Sequence, residues 1–118
     1  GIVIYDHASG LMWQQSGSDK RLFYGEAEKY VDKLNNNQFA GYSNWRLLTL
    51  EESMSLMEPT KNKDGLYINP VFDKKQKSIW TPDSMREISS YYNSWVVYFD
   101  CGYCLNVLLG LHYVRAVH

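Results

Sequence analysis

The chain has 118 residues, of which 45% are hydrophobic and 21% charged, so its size and composition are those of a single globular domain. Twelve Lys and Arg against thirteen Asp and Glu leave a net charge of −1, which argues against nucleic acid as the main partner. No apolar run approaches the roughly 20 residues that a membrane helix needs, so we expect no membrane insertion by this domain. The unusual figure is an aromatic content of 15%, which suits either a core or a binding surface.

The first residues, Gly1 to Tyr5, are strand-like and lack the pattern of a signal peptide. We therefore expect residues 1–118 to be one domain cut from a longer protein. The sequence leaves its compartment open, with the cell surface or the extracellular space favoured. The only cysteines, Cys101 and Cys104, could be reduced thiols, a short-loop disulfide or half of a metal site.

Local patterns in the first half predict a hairpin and two helices. Apolar residues on both sides of the turn-rich segment 6–10 indicate a strand pair at 2–5 and 11–13. The 3.6-residue periodicity of residues 24–35 predicts a helix that three asparagines, residues 35–37, end through the left-handed conformation. After a loop and a short strand at 45–48, Thr49 and Glu52 have capping-box spacing, which predicts a helix over 50–58 that Pro59 stops.

The second half reads as a lysine-rich excursion followed by strands. Residues 60–77 are polar, with apolar anchors at 66–68 and 71–72. Strands are predicted at 78–81, ended by Pro82, then at 95–99, 103–109 and 112–117, with residues 83–93 as loop and a turn at 100–102. The order of strand, helix, helix and several strands predicts an α+β fold.

Catalytic and metal-binding patterns are weak. The Cys101–Cys104 spacing lies at a predicted turn between strands, whereas a thioredoxin-like motif opens a helix. The sequence contains no GxSxG, HExxH, phosphate-loop, GxGxxG or EF-hand pattern, and no paired zinc-ligand clusters. We therefore expect no enzyme activity, no cofactor and no metal site.

Five motifs in order and spacing resemble the Lcl C-terminal domain family of bacteria. They are Ser9-Gly10-Leu11-Met12-Trp13-Gln14, Gly41-Tyr42-Ser43-Asn44-Trp45-Arg46-Leu47, Ile79-Trp80-Thr81, residues 95–102 and Tyr113-Val114-Arg115-Ala116-Val117. The resemblance implies a C-type-lectin-like fold, in which two helices flank a mainly antiparallel sheet, the N- and C-terminal strands pair, and a long loop region displays a ligand surface. It implies that Trp13, Trp45, Trp80 and Trp95 belong to the scaffold.

The same resemblance implies that Arg46 and Arg115 tie strands or loops together through charge-assisted hydrogen bonds. Calcium-dependent sugar binding is not expected: Glu58-Pro59-Thr60 and Thr81-Pro82-Asp83 are only partial matches to the lectin tripeptides, and no Trp-Asn-Asp occurs. Formylglycine-generating enzymes share the wider fold and use two cysteines, so a copper-dependent oxidase is a third interpretation, although their cysteine spacing is longer.

The segment from Tyr91 to His112 is the candidate ligand surface. Alternation predicts that Trp95, Val97 and Phe99 are buried and Val96 and Tyr98 exposed, or the reverse, while the run 104–111 is apolar on both faces. Such a run indicates an interaction site. The predicted ligand-binding residues are Tyr91, Tyr92, Asn93, Tyr98, Cys101, Tyr103, Asn106, Leu108, Leu109 and His112.

These residues predict a recognition domain that binds a protein or glycan through its C-terminal loops. Their types suit a variable surface of the kind that retroelements diversify in bacterial lectin-fold proteins. The alternative is a structural domain that self-associates or contacts other domains of the full-length chain.

Overall fold

The computed structural model describes residues 3–86, 92–107 and 110–118, with the backbone alone at 84–86, 92, 93 and 106. Within these residues the order of elements is β1 (Val3–Tyr5), β2 (Met12–Gln14), α1 (Tyr24–Asn36), a 3₁₀ turn (Phe39–Gly41), β3 (Arg46–Leu47), α2 (Leu50–Ser55), β4 (Ser78–Arg86), β5 (Tyr92–Tyr98), β6 (Tyr103–Val107) and β7 (Ala116–Val117). The predicted α+β class is confirmed.

The strands form two antiparallel sheets. In the first, with order β1-β2-β7-β3, the N-terminal hairpin pairs with the C-terminal strand through Trp13 and Val117. The second sheet has the order β4-β5-β6. The predicted N-terminal hairpin and the pairing of N- and C-terminal strands are therefore present.

Both faces of the second sheet are covered. The two alternations predicted for β5 each left one face exposed. Ile79 pairs with Val97, and both belong to a core that also contains Trp13, Leu66, Ile68 and Phe72. The next pair, Trp80 and Val96, belongs to a second core, which α1 covers through Ala27 and Val31. Val96 and Val97 are both fully buried. Because adjacent strand residues point to opposite faces of a sheet, neither face is exposed at this pair, and the predicted alternation of one buried and one exposed face is wrong.

The predicted scaffold tryptophans Trp13, Trp45 and Trp80 are buried, whereas Trp95 is only partly buried. Helix α1 has the predicted extent, but its end differs. Asn37 has φ −88°, and the left-handed residue is Gln38 with φ 49°. Asn35 instead uses its side chain to bind the backbone N–H and carbonyl of Trp45, at 2.6 and 3.0 Å.

Helix α2 begins with the predicted capping box but ends at Ser55, before Pro59 is reached. The chain leaves the helix because Met57 forms a bridge with Ile68, and the Glu58 N–H donates to the Tyr67 carbonyl. The predicted helix over 50–58 is therefore too long. In the excursion that follows, the predicted anchors Leu66, Ile68 and Phe72 are buried, while Val71 is exposed.

Strand β4 continues through Pro82 to Arg86, so the prediction that Pro82 ends it is wrong. The pairing register with β5 shifts between Trp80 and Ser84. Pro82 lies in this irregularity, where no ladder hydrogen bond is required of its nitrogen. The predicted loop over 83–93 is likewise strand at 83–86 and 92–93, and residues 87–91 lie outside the described part.

Strand β7 is shorter than predicted. β6 is strand over Tyr103–Val107, and residues 108 and 109 of its predicted extent lie outside the described part, whereas the predicted strand over 112–117 is regular only at Ala116–Val117. Between them His112 and Tyr113 form isolated bridges to Leu22 and Ile79. The chain thus crosses from one sheet to the other in this segment, and His112 is held against the second sheet.

Candidate functional site

Of the ten predicted ligand-binding residues, four lie where β5 and β6 meet the segment that carries His112. We define the C-terminal face as the predicted residues whose side chains the structure describes: Tyr98, Cys101, Tyr103 and His112. Tyr98 and Tyr103 are paired residues of β5 and β6 and therefore share one face of the sheet. Their rings lie 5.5 Å apart between centroids.

His112 extends this aromatic cluster toward the second core. Its ring contacts Tyr98 edge-on at 5.4 Å and Trp80 edge-on at 4.9 Å. Its Nδ1 shares a hydrogen bond of 2.8 Å with the Ser78 hydroxyl. Partial burial, and then the positive charge of Arg21, lower the pKa of His112, which favours the neutral imidazole.

A cleft of about 410 Å³ opens beside these rings. Aromatic, hydroxyl and charged side chains line it together: Arg21, Lys77, Ser78, Tyr98, Asp100, Leu111, His112 and Tyr113. Arg21 and Lys77 were not predicted as site residues, because they are distant in sequence from the other lining residues. The bridge between Leu22 and His112 places Arg21 at the cleft, and the hydrogen bond from the Phe99 N–H to the Lys77 carbonyl, 2.7 Å long, places Lys77 there.

The outer part of this sheet face is exposed. Leu105 lies opposite Val96 on β6 and so faces the same side of the sheet as Tyr98 and Tyr103. Tyr103 is 46% exposed, Leu105 47% and Leu111 38%. Large apolar and aromatic side chains therefore continue from the cleft to the β6 edge.

The two cysteines occupy different environments. Cys101 is exposed in the turn, and Cys104 is partly buried on β6 against the first core, both as free thiols. Cys101 raises the pKa of the neighbouring Tyr103 hydroxyl. The CxxC motif follows a strand and enters another strand, so no helix dipole acts on either thiol.

The remaining predicted ligand residues are only partly placed. The backbone of Tyr92 and Asn93 belongs to β5 and that of Asn106 to β6, opposite Trp95. Tyr91, Leu108 and Leu109 lie outside the described residues. The ligand-surface assignment as a whole stays a prediction.

Two further observations concern metals and membranes. Within the ranges that the structure describes, no group of three or more His, Cys, Asp and Glu side chains is placed to hold a metal ion. No helix in that part of the chain is both long and apolar enough to cross a bilayer.

The fold and the aromatic cleft define an α+β domain with a compact, mixed polar and aromatic surface site. The chain belongs to the Lcl C-terminal domain family, whose sequence model matches residues 2–118, as the motifs predicted. No curated protein and no solved structure matches the chain significantly.

Proposed function

We propose that this domain is a non-catalytic recognition module that binds a protein or glycan through its C-terminal face. The observation that carries the proposal is the convergence of Tyr98, Tyr103 and His112, three residues of the predicted ligand segment, in ring contact beside a cleft of about 410 Å³. Concave sites with aromatic walls and a few directed polar groups are typical of ligand binding.

The chemistry of the cleft suits a ligand with both apolar and polar surface. Exposed tyrosine rings offer flat area at little cost in conformational entropy, for the apolar face of a sugar or for a side chain. Ser78, Asp100 and Arg21 supply hydroxyl, carboxylate and guanidinium groups within the same lining. A neutral imidazole at His112 adds a hydrogen-bonding edge without a charge.

A C-type-lectin-like arrangement is part of this proposal. The pairing of β2 with β7, the two helices and the long excursion over 60–77 support it. So does the exposed position of Cys101, Tyr103 and Leu105 on the β5–β6 hairpin, where side chains can vary with little disturbance of the cores. The same position supports surface diversification by a retroelement, for which a near-copy of the coding segment differing chiefly at adenines is the expected signature beside the gene.

The experiment is a glycan array together with a pull-down, comparing the wild-type domain with Tyr103→Ala and Tyr5→Ala. Both tyrosines are about half exposed, and Tyr5 lies on the other sheet, so it is the matched control. We expect Tyr103→Ala to weaken capture at least tenfold, as for a central aromatic contact, and Tyr5→Ala to leave it unchanged. Equal capture by all three proteins would remove the C-terminal face from the binding site.

Self-association is the second candidate function, favoured by the exposed leucines Leu105 and Leu111. If these side chains form an interface between copies, Leu105→Asp should convert an oligomer to a monomer in light scattering. A wild-type domain that is already monomeric would exclude this candidate and leave the surface for ligand binding.

A further inference from the structure

We propose that a second groove, between α1 and β3, binds an arginine-bearing segment of a partner protein. This groove, which we call the α1 groove, measures about 500 Å³ and shares no lining residue with the cleft of the C-terminal face. Its buried lining residues, Val31, Leu47 and Trp45, form an apolar floor, and the exposed Pro82 also lines the groove.

The rim of the α1 groove is acidic. Glu28 and Asp32 are exposed and stand one helical turn apart on α1, so their Cβ atoms are about 6 Å apart on the same helix face. Among the described residues neither carboxylate takes part in an ion pair. Within the described part of the chain, two negative charges therefore face the groove without an ion-pair partner.

Arg46, the cationic residue in the lining of the α1 groove, does not neutralise the charges of Glu28 and Asp32. Arg46 donates both terminal nitrogens to the Glu52 carboxylate at 2.7 Å each, so its charge is already matched. At the other end, burial and then the charges of Glu28 and Asp83 raise the pKa of Tyr24.

An arginine side chain fits both parts of this surface. Its aliphatic stem can lie on the apolar floor while the guanidinium remains at the wet rim. The planar fork can bond the two carboxylates, and the Tyr24 ring offers a face for stacking. An anionic or purely apolar segment would leave the two carboxylates unmatched, so charge complementarity selects a basic segment.

The test is a titration of ¹⁵N-labelled domain with an acetylated, amidated arginine-leucine dipeptide, followed by amide chemical shifts. We expect saturable shifts at Val31, Leu47 and Thr49, and a loss of affinity of ~fivefold in Glu28→Gln/Asp32→Asn, from two solvent-exposed ion pairs. Glu51→Gln/Glu58→Gln removes the same charge from exposed acids outside the lining and should bind like the wild type.

A second arm needs no variant. The citrulline-leucine dipeptide has the same shape as the arginine peptide without its charge, and it should bind the wild-type domain ~fivefold more weakly than the arginine peptide does, because the same two exposed ion pairs are lost. Equal affinity for both peptides, shifts confined to residues outside the α1 groove, or unchanged affinity in the double variant would each overturn the proposal.

Discussion

At the scale of single residues, Arg115 joins three segments of the chain. Its guanidinium is fully buried and donates to the backbone carbonyls of Gln14 at 2.7 Å, of Gln15, and of Ser16 at 3.1 Å. It also donates to the Asp73 carbonyl at 3.3 Å, and the guanidinium carbon lies 4.7 Å from the centroid of the Phe72 ring. Burial lowers the pKa of Arg115 to about 10, so the group remains charged at neutral pH.

Arg115→Met should therefore destabilise the domain by about 3 kcal/mol or more, because the buried carbonyls lose their donor. Urea unfolding measures this change. Arg21→Met, which removes an exposed arginine, should stay within about 0.5 kcal/mol of the wild type. An equal effect of the two substitutions would show that Arg115 does not hold the segments together.

Gly17 is required by close approach and not by its backbone angles. A Cβ placed there would lie 1.9 Å from the Val114 carbonyl oxygen, which accepts a 2.8 Å hydrogen bond from the Ser18 N–H. Gly17→Ala should thus cost about 2 kcal/mol or more, since one backbone segment must move.

Gly25 provides the matched control, because it lies in α1 with open space around its Cβ position. Gly25→Ala should stabilise the domain by about 0.5 kcal/mol through the lower entropy of the unfolded chain. Thermal unfolding of both variants separates the two effects, and a stable Gly17→Ala protein would contradict the described contact with Val114.

At the scale of elements, α2 depends on Glu52. Its carboxylate accepts the Thr49 N–H at 2.9 Å and pairs with Arg46, and these contacts lower its pKa from 4.5 to about 2, with Arg46 the largest cause. Since the pKa is lower in the folded state, the stabilisation is complete above pH 4.5 and is lost as the pH falls toward 2.

Glu52→Gln should reduce the stability at pH 7 by about 1 kcal/mol, because the ion pair is lost while the capping contact to Thr49 can persist. It should also flatten the fall in stability between pH 4.5 and 2. Glu51→Gln, an exposed acid in the same turn, should keep the wild-type pH profile. Identical profiles for wild type and Glu52→Gln in denaturant unfolding would refute the assignment.

Elements specified by local signals could be predicted, and elements specified by distant partners could not. The capping box at Thr49 and Glu52 and the apolar stripe of α1 act within one or two helical turns, so residues 24–36 and the start of α2 follow from the sequence. The end of α2 depends on Ile68, and the passage of β4 through Pro82 depends on its register with β5. Ile68 and β5 are too far along the chain for local sequence patterns to indicate these pairings.

At the scale of the whole molecule, two cores enclose the second sheet and leave its β6 edge exposed. The composition of residues 91–112, with its run apolar on both faces, led to the prediction of Tyr98, Tyr103 and His112 as ligand residues. It gave no indication of Arg21 or Lys77, which reach the cleft only through pairing with His112 and Phe99. The α1 groove was also missed, since the exposed carboxylates of α1 have the pattern of an ordinary solvated helix face.

The central claim is that ligand binding occurs at the C-terminal face. Hydrogen exchange of the domain, with and without the glycan or protein that the array and pull-down identify, tests it most directly. We predict protection of the amides of Tyr103–Val107 and of residues 111–113, with no change in β1 and β2. Protection confined to the N-terminal hairpin or to α1, with none in β6, would contradict it.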